Sequence, residues 1–210
     1  NEFLNKTLET DDYDYVVASD TDSVYLRLGK LVDRFLPEEQ SKEKIIDFLD
    51  KASDKIIQPF IDKQYASLAE TMNAYQNKMQ MGREVIAEKG IWTAKKRYML
   101  NVWDSEGVRY EQPKLKIMGI ETTRSSTPAI VREKLKECIR LILTTDEETI
   151  QEFIVGFKET FYQEKAEEIA FPRGVSNLKK YSCNTDIYSK GTPVAVKGAL
   201  IYNNYKKKKK

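Results

Sequence analysis

Histidine is absent from all 210 residues, which excludes Ser-His-Asp and Cys-His catalysis and the zinc sites built on imidazole. Acid–base work would fall to carboxylates or lysines. Cysteine is nearly absent as well: Cys138 and Cys183 lie far apart and form no metal-type pair, so both read as plain thiols in a reducing compartment. No apolar run approaches the roughly 18 to 20 residues that a spanning helix needs. The opening Asn1-Glu2-Phe3 has no secretory pattern, so no membrane partner is expected. An initiating Met is also lacking, as expected for a piece of a longer protein.

What is present is ordinary for a globular protein: 40% hydrophobic and 32% charged residues, enough for one sizeable core or two small ones. The formal net charge is +2, yet Lys206 to Lys210 supply five of the positive charges. Without them 30 Lys and Arg face 33 Asp and Glu, a net charge of −3. Overall basicity is therefore no argument for nucleic acid, and five identical residues after Tyr205 read as an appended tail more readily than as a binding tail.

The most informative stretch is Asp20-Thr21-Asp22-Ser23. It lies between Tyr13 to Ala18 and Ser23 to Leu28, two runs rich in Val, Tyr and Leu that read as a hairpin. Residues i and i+2 of an extended chain face the same way, so Asp20 and Asp22 share a face if strand geometry persists through the turn. Hard oxygen ligands of this kind suit Mg²⁺. Alone, an Asp-x-Asp turn is more often structural, because Asp and Ser hydrogen-bond their own backbone. A calcium loop is excluded by spacing: Tyr25 stands where a Gly is needed and Leu31 where a Glu is needed.

Further along, residues 41 to 73 carry helical periodicity after Ser41 as N-cap, with Pro59 expected to kink or split the helix. From Gln80 to Tyr110 the pattern is β-rich, with cores at Val85 to Ala87, Ile91 to Thr93 and Tyr98 to Trp103. Asp104-Ser105-Glu106-Gly107 would turn the chain into a strand over Val108 to Glu111. Thr127 as N-cap and Pro128 at the first helical position open an amphipathic helix through Leu143. A second helix starts at Thr145 or Asp146 and runs past Phe161 towards Ala166, and the remainder is loop-rich with one short β segment. The fold class is α+β, with a boundary near residues 118 to 126.

Lys95-Lys96-Arg97-Tyr98 places three cations together, flanked by Trp92 and Trp103. On a strand Lys95 and Arg97 would face one way, Lys96 and Tyr98 the other. Between Lys89 and Arg124 eight Lys or Arg face four Asp or Glu, a local excess of +4. Such a run is usually a solvated face. Next to an acidic turn it acquires a second meaning, because an enzyme that works on nucleic acid with metals needs carboxylates at the reacting phosphate and cations along the backbone.

Four segments resemble family B replicative DNA polymerases of the kind encoded by T-even-like tailed phages. Val17 to Ser23 resembles the motif C hairpin, with Ala18-Ser19 where the family usually has Tyr-Gly. Arg83 to Ala87 resembles a following palm strand, Thr93 to Tyr98 the Lys-Lys-Arg-Tyr motif, and Lys114 to Gly119 with Ser125 to Pro128 the palm-to-thumb junction. Likeness continues through Gly191-Thr192-Pro193 and Lys197 to Leu200.

The resemblance implies an antiparallel palm sheet with flanking helices over residues 1–120, part of a mostly helical thumb over 121–205, and the lysine tail at 206–210. It implies Asp22 as direct metal ligand, Asp20 tuning the metal from the same turn, and Glu84 on an adjacent strand, together supplying part of a two-Mg²⁺ site for nucleotidyl transfer. Lys95, Lys96, Arg97 and Tyr98 would hold the primer–template duplex, Arg124 its backbone near the thumb, and Asp104 would be a functionally sensitive position. The implied partners are primer–template DNA, deoxynucleoside triphosphates, an N-terminal polymerase portion with motif A, fingers and exonuclease, and a sliding clamp, in the host-cell cytoplasm. The hairpin would have an unpaired edge awaiting that N-terminal portion, and the chain alone would not polymerise DNA. The rival readings are a non-catalytic duplex-DNA-binding accessory module and, last, a metal-dependent nuclease.

Overall fold

Tyr13 to Leu28 does form a hairpin. In the computed structural model, which describes residues 1–38, 41–182 and 187–208, strand β1 (Val16–Asp20) pairs antiparallel with β2 (Ser23–Leu26), and Asp20 lies opposite Ser23. Helix α1 (Glu2–Leu8) precedes it and α2 (Gly29–Phe35) follows; neither was expected, because each spans only two turns and shows too little periodicity. Both depend on packing. Leu4, Leu8, Tyr15, Leu31 and Ala52 form one buried cluster, while the Asn1 side chain bonds the backbone amides of Tyr15 and Val16 at 3.0 Å each.

The helix expected over 41 to 73 is α3 (Lys42–Ala52) and α4 (Gln58–Thr71), joined by a π-helical stretch, Ser53–Ile57. The split falls one turn before Pro59. There the wider π winding dispenses with the amide that proline lacks.

The second sheet has the order β3-β4-β5, all antiparallel, from β3 (Val85–Ala94), β4 (Arg97–Ser105) and β5 (Val108–Met118). Val85 to Ala87 and Ile91 to Thr93 belong to one bulged strand rather than two. Strand β5 runs well beyond Glu111, its pairing with β4 interrupted between Arg109 and Lys114. Pro113 falls in that irregular stretch of an edge strand, where its missing amide costs no ladder bond. The β4–β5 turn is Glu106-Gly107, with φ of 51° and 85°, the double left-handed geometry that matches strand twist.

One face of this sheet packs on α5 (Ala129–Thr144), burying Met99, Ile120, Ile139 and Leu143 with Ile91, Leu115 and Ile117 around them. Thr127 is not the N-cap: Pro128 holds that position, and the Thr127 hydroxyl instead donates to the Glu121 carbonyl at 2.8 Å. This draws the helix start onto the short 3₁₀ turn Glu121–Thr123. Helix α6 (Glu147–Phe161) is capped by Asp146, which accepts from the Thr149 amide at 2.9 Å.

Beyond α6 lie α7 (Ala166–Ile169), the 3₁₀ turn Leu178–Tyr181 and α8 (Val194–Lys208). No β segment occurs there among the described residues, and α8 takes Lys206 to Lys208 into its last turns. Cys183 lies outside the described residues. Cys138 is a half-buried free thiol whose pKa is raised by burial. The architecture is α+β, as expected, and no helix is long and apolar enough to cross a membrane among the described residues.

Candidate nucleic-acid and metal site

Three aromatic rings join the two sheets. Tyr25 of β2 lies edge-on to Trp92 of β3 with centroids 5.2 Å apart, and Tyr98 of β4 is 5.3 Å from Tyr25. Such pairs contribute about 0.5–1.5 kcal/mol each beyond area burial. Burial, the hydrogen bond with Tyr25 and the nearby negative charges of Glu84 and Asp20 all raise the Tyr98 phenol pKa, so it stays neutral. Sequence reasoning named Trp92 only as a flank of the basic run and gave Tyr25 no role, since nothing beyond aromatic strand composition signals their contact.

This packing brings two hairpin tips together. Lys95-Lys96 is the β3–β4 turn, not a strand: Ala94 pairs with Arg97, and Lys96 has φ 60°. The alternation expected for Lys95 to Tyr98 is therefore broken at its first two members. Both lysines are exposed, and Lys96 Nζ lies 3.6 Å from Asp20 Oδ1. The Asp20 carboxyl is held below the usual range by the Thr21 backbone amide first, against a desolvation penalty, and then by Lys96.

Gly119 shapes this turn. It follows β5 at φ +67°, and a Cβ there would lie 2.1 Å from the Lys96 carbonyl oxygen. Gly119→Ala is expected to destabilise the fold by about 1–3 kcal/mol through the left-handed backbone alone and to displace the Lys95-Lys96 turn. Amide chemical shifts at residues 94–98 check it; shifts confined to 118–120 would contradict the contact.

Strand geometry ends at Asp20, so the two acids do not share a strand face. Asp20 turns to Thr21 and Lys96. Asp22, in the turn itself, has no hydrogen bond or ion pair among the described residues and lines an open cleft of about 1020 Å³ between the hairpin, α2, α3 and β3. Glu84 lines the same cleft just before β3, but its carboxylate is ion-paired with Lys116 of β5. Among the described residues no three acidic or sulfur side chains gather into a metal-binding group. Asp22 is an unpartnered hard-oxygen donor among the described residues, the ligand type that Mg²⁺ takes, two positions after Asp20.

Arg97 is drawn from the basic turn to Glu121, its Nη2 donating to both carboxylate oxygens at 2.7 and 2.6 Å. The Glu121 carboxyl is held low by its own backbone amide, then by Arg97 and Arg124. Arg124 itself is exposed, and close enough for its charge to act on Glu121. Asp104 sits near the far end of β4 from the basic turn, about 23 Å along a strand rising about 3.3 Å per residue. It is fully buried and accepts from Arg83, from Arg109 Nε at 3.0 Å and from the Gly107 amide at 3.0 Å. Arg83 also pairs with Asp50 at 2.7 Å and Arg109 with Asp47 at 2.7 Å, so the network ties the β4–β5 hairpin to α3. Asp104 thus lies away from the hairpin tips, at the centre of the contacts that join α3 to the β4–β5 hairpin.

Sequence comparison bears on the same residues. A family described as Divergent Family B DNA polymerase matches residues 9–154. The DNA-directed DNA polymerase of Enterobacteria phage T4 is 38% identical over 216 aligned positions, covering 96% of this chain and 23% of that protein. The DNA-directed DNA polymerase of Escherichia phage RB69 is 42% identical over 212, covering 97% of this chain and 23% of that protein. The chain thus spans about a quarter of the length of the curated relatives it matches. The matched stretch contains both hairpin tips, the Asp104 network and α5: the chain belongs to the divergent family B DNA polymerases.

Proposed function

We propose that this chain is the palm and thumb portion of a DNA-directed DNA polymerase, with palm over residues 1–120 and thumb over 121–205. The observation that carries the reading is the 3.6 Å approach of Lys96 to Asp20. It sets an acidic tip and a basic tip, from two separate sheets, side by side, as metal-assisted chemistry on a nucleic-acid backbone requires.

Asp22 and Asp20 would hold Mg²⁺, with Glu84 reaching the site only if its pair with Lys116 opens. The metal supplies charge neutralisation for attack of the primer 3′-hydroxyl on a deoxynucleoside triphosphate. Lys95 and Lys96 project from their turn towards the duplex, where a lysine donor in the minor groove meets acceptors nearly alike for every correct pair. Arg97 and Tyr98 act differently from their neighbours: Arg97 anchors the turn through Glu121, and Tyr98 locks the two sheets. Arg124 remains available to backbone phosphate.

The N-terminal polymerase portion has a place to dock. The β1–β2 sheet has two strands whose outer edges are unpaired among the described residues, Val17 and Val24 are exposed, and the cleft opens beside them. That portion would complete the metal site and bind the triphosphate, and without it we expect no primer extension. A sliding clamp is a further partner in the assembled enzyme, which would act in the host cytoplasm if the chain is phage-encoded.

The test is primer–template affinity as a function of salt. Replacing Lys95 and Lys96 by Gln should weaken binding and reduce the slope of log K against log[salt] by about 2, at about 0.9 per lost phosphate contact on duplex. An unchanged affinity and slope would remove the duplex-holding role.

A further inference from the structure

Negative charge is concentrated in one stretch of the chain. Between Asp146 and Glu168 eight Asp or Glu face two Lys, a net −6, while residues 1–145 are close to neutral, with 23 Lys or Arg against 24 Asp or Glu. The stretch contains α6, where Lys158 is the one cation against four Glu. Glu148, Glu152 and Glu159 are exposed and have no ion pair among the described residues. Like charge left uncompensated on one element builds a local field that repels anions and attracts cations.

The same helix carries apolar side chains on two sides. Ile150, Phe153, Phe157 and Phe161 recur at helical spacing and are half-buried, and Lys134 of α5 lies 5.6 Å from the Phe153 ring, so this side faces α5. Gln151, Ile154, Val155, Lys158 and Tyr162 follow one another at helical spacing too and share a second side. There Ile154, Val155 and Tyr162 are 51%, 57% and 79% exposed. Positions 148, 152 and 159 run along the border of this outer stripe. A surface helix needs one apolar face for its core, and the outer stripe has no such task in the fold.

We propose that the outer stripe of α6 is a docking surface for a cationic amphipathic helix of a partner protein. Ile154, Val155 and Tyr162 pack against the partner's apolar residues, and Lys or Arg beside those residues meet Glu148, Glu152 and Glu159. From Gln151 to Tyr162 the stripe is about 17 Å long at about 1.5 Å per residue, the length of a helix of about eleven residues. Helices packed side by side have axes about 8–10 Å apart, and the long stems of Lys and Arg carry their charges past an apolar contact to its edge. Charge selects the occupant: a net −6 repels nucleic acid and anionic lipid, an acidic helix is excluded, and an uncharged one leaves the carboxylates unanswered. The inference uses none of the metal or DNA residues and stands apart from the polymerase reading.

The experiment is fluorescence anisotropy on the full chain with a labelled helical peptide of about fifteen residues, Leu on one face and Lys on the other. Its controls are a peptide with Glu in place of Lys and a scrambled Leu–Lys peptide of the same composition. The amphipathic Leu–Lys peptide should bind and both controls should not. Ile154→Ala with Val155→Ala should weaken it about tenfold, with the circular dichroism and urea midpoint of wild type, because both side chains are exposed. Glu148→Gln, Glu152→Gln and Glu159→Gln together should slow association and flatten its salt dependence, whereas Glu70→Gln with Glu111→Gln should change neither. Equal binding of the scrambled peptide, or wild-type affinity in the Ile154 and Val155 variant, would reduce the effect to net charge and overturn the proposal. It would also be overturned by a dimer in sedimentation that this variant dissolves, which would give the stripe to a second copy through α8, with four Lys and no acid.

Discussion

Asp104→Ala should lower the unfolding free energy by about 3–5 kcal/mol, the cost of removing one partner from a buried ion pair. Asp104 has no exposed surface and answers two guanidiniums; without it Arg83 and Arg109 face each other with Asp47 and Asp50 alone to compensate. The check is the urea midpoint at constant slope. A shift below about 1 kcal/mol would mean that α3 and the β4–β5 hairpin are held by packing rather than by this network. Replacing Arg83 by Met and Asp104 by Leu together should recover part of the loss, since an apolar pair leaves no buried charge unpaired.

The same network fixes the pH response. Burial pushes the Asp104 carboxyl up, but hydrogen bonds from Arg83, Gly107 and Arg109 prevail and hold it below its ordinary value. A carboxyl depressed in the folded state contributes stability that is complete above its unfolded value of about 3.9. That contribution is lost as pH falls through the lower folded value. Wild-type stability should therefore fall through this acid range, and Asp104→Ala should flatten the dependence.

Asp22→Asn should reduce nucleotide addition by about three decades in a complete polymerase carrying this chain as its corresponding segment. Metal stabilisation of transition-state charge contributes several kcal/mol, and each decade corresponds to about 1.4 kcal/mol. Asp22 has no protein partner to lose, so folding stability and duplex affinity should stay near wild type while the rate falls. Asp20→Asn should show a smaller loss in rate, because Asp20 already answers Thr21 and Lys96. Equal rates for Asp22→Asn and wild type would assign the acidic turn a structural role and leave a non-catalytic, duplex-binding chain.

Local chemistry was legible in the sequence where it governs the backbone. The hairpin around Asp20 to Ser23, the Asp146 cap and the Glu106-Gly107 turn are each set by residues within a few positions of one another. Lys95-Lys96 was misread because lysine is a poor turn marker; what makes the turn there is Gly119, whose missing Cβ leaves room for the Lys96 carbonyl. Helices α1, α2 and α8 escaped because short or polar helices owe their existence to tertiary packing and end contacts.

At the site, the acidic and basic motifs could be read but their adjacency could not. Adjacency arises from Tyr25 meeting Trp92 and Tyr98 across two sheets, a pairing with no sequence periodicity. The scaffold partners of Asp104 are likewise remote: Asp47 and Asp50 lie on a helix, and Arg83 on the segment before β3.

The central claim is that the two hairpin tips form one metal-and-DNA site. Paramagnetic broadening by Mn²⁺ in the full chain with bound primer–template measures this most directly. The account predicts that amides of 20–23 and 95–97 broaden together at low Mn²⁺, and that Asp22→Asn removes both effects. Broadening at one tip without the other, or at neither, would contradict it.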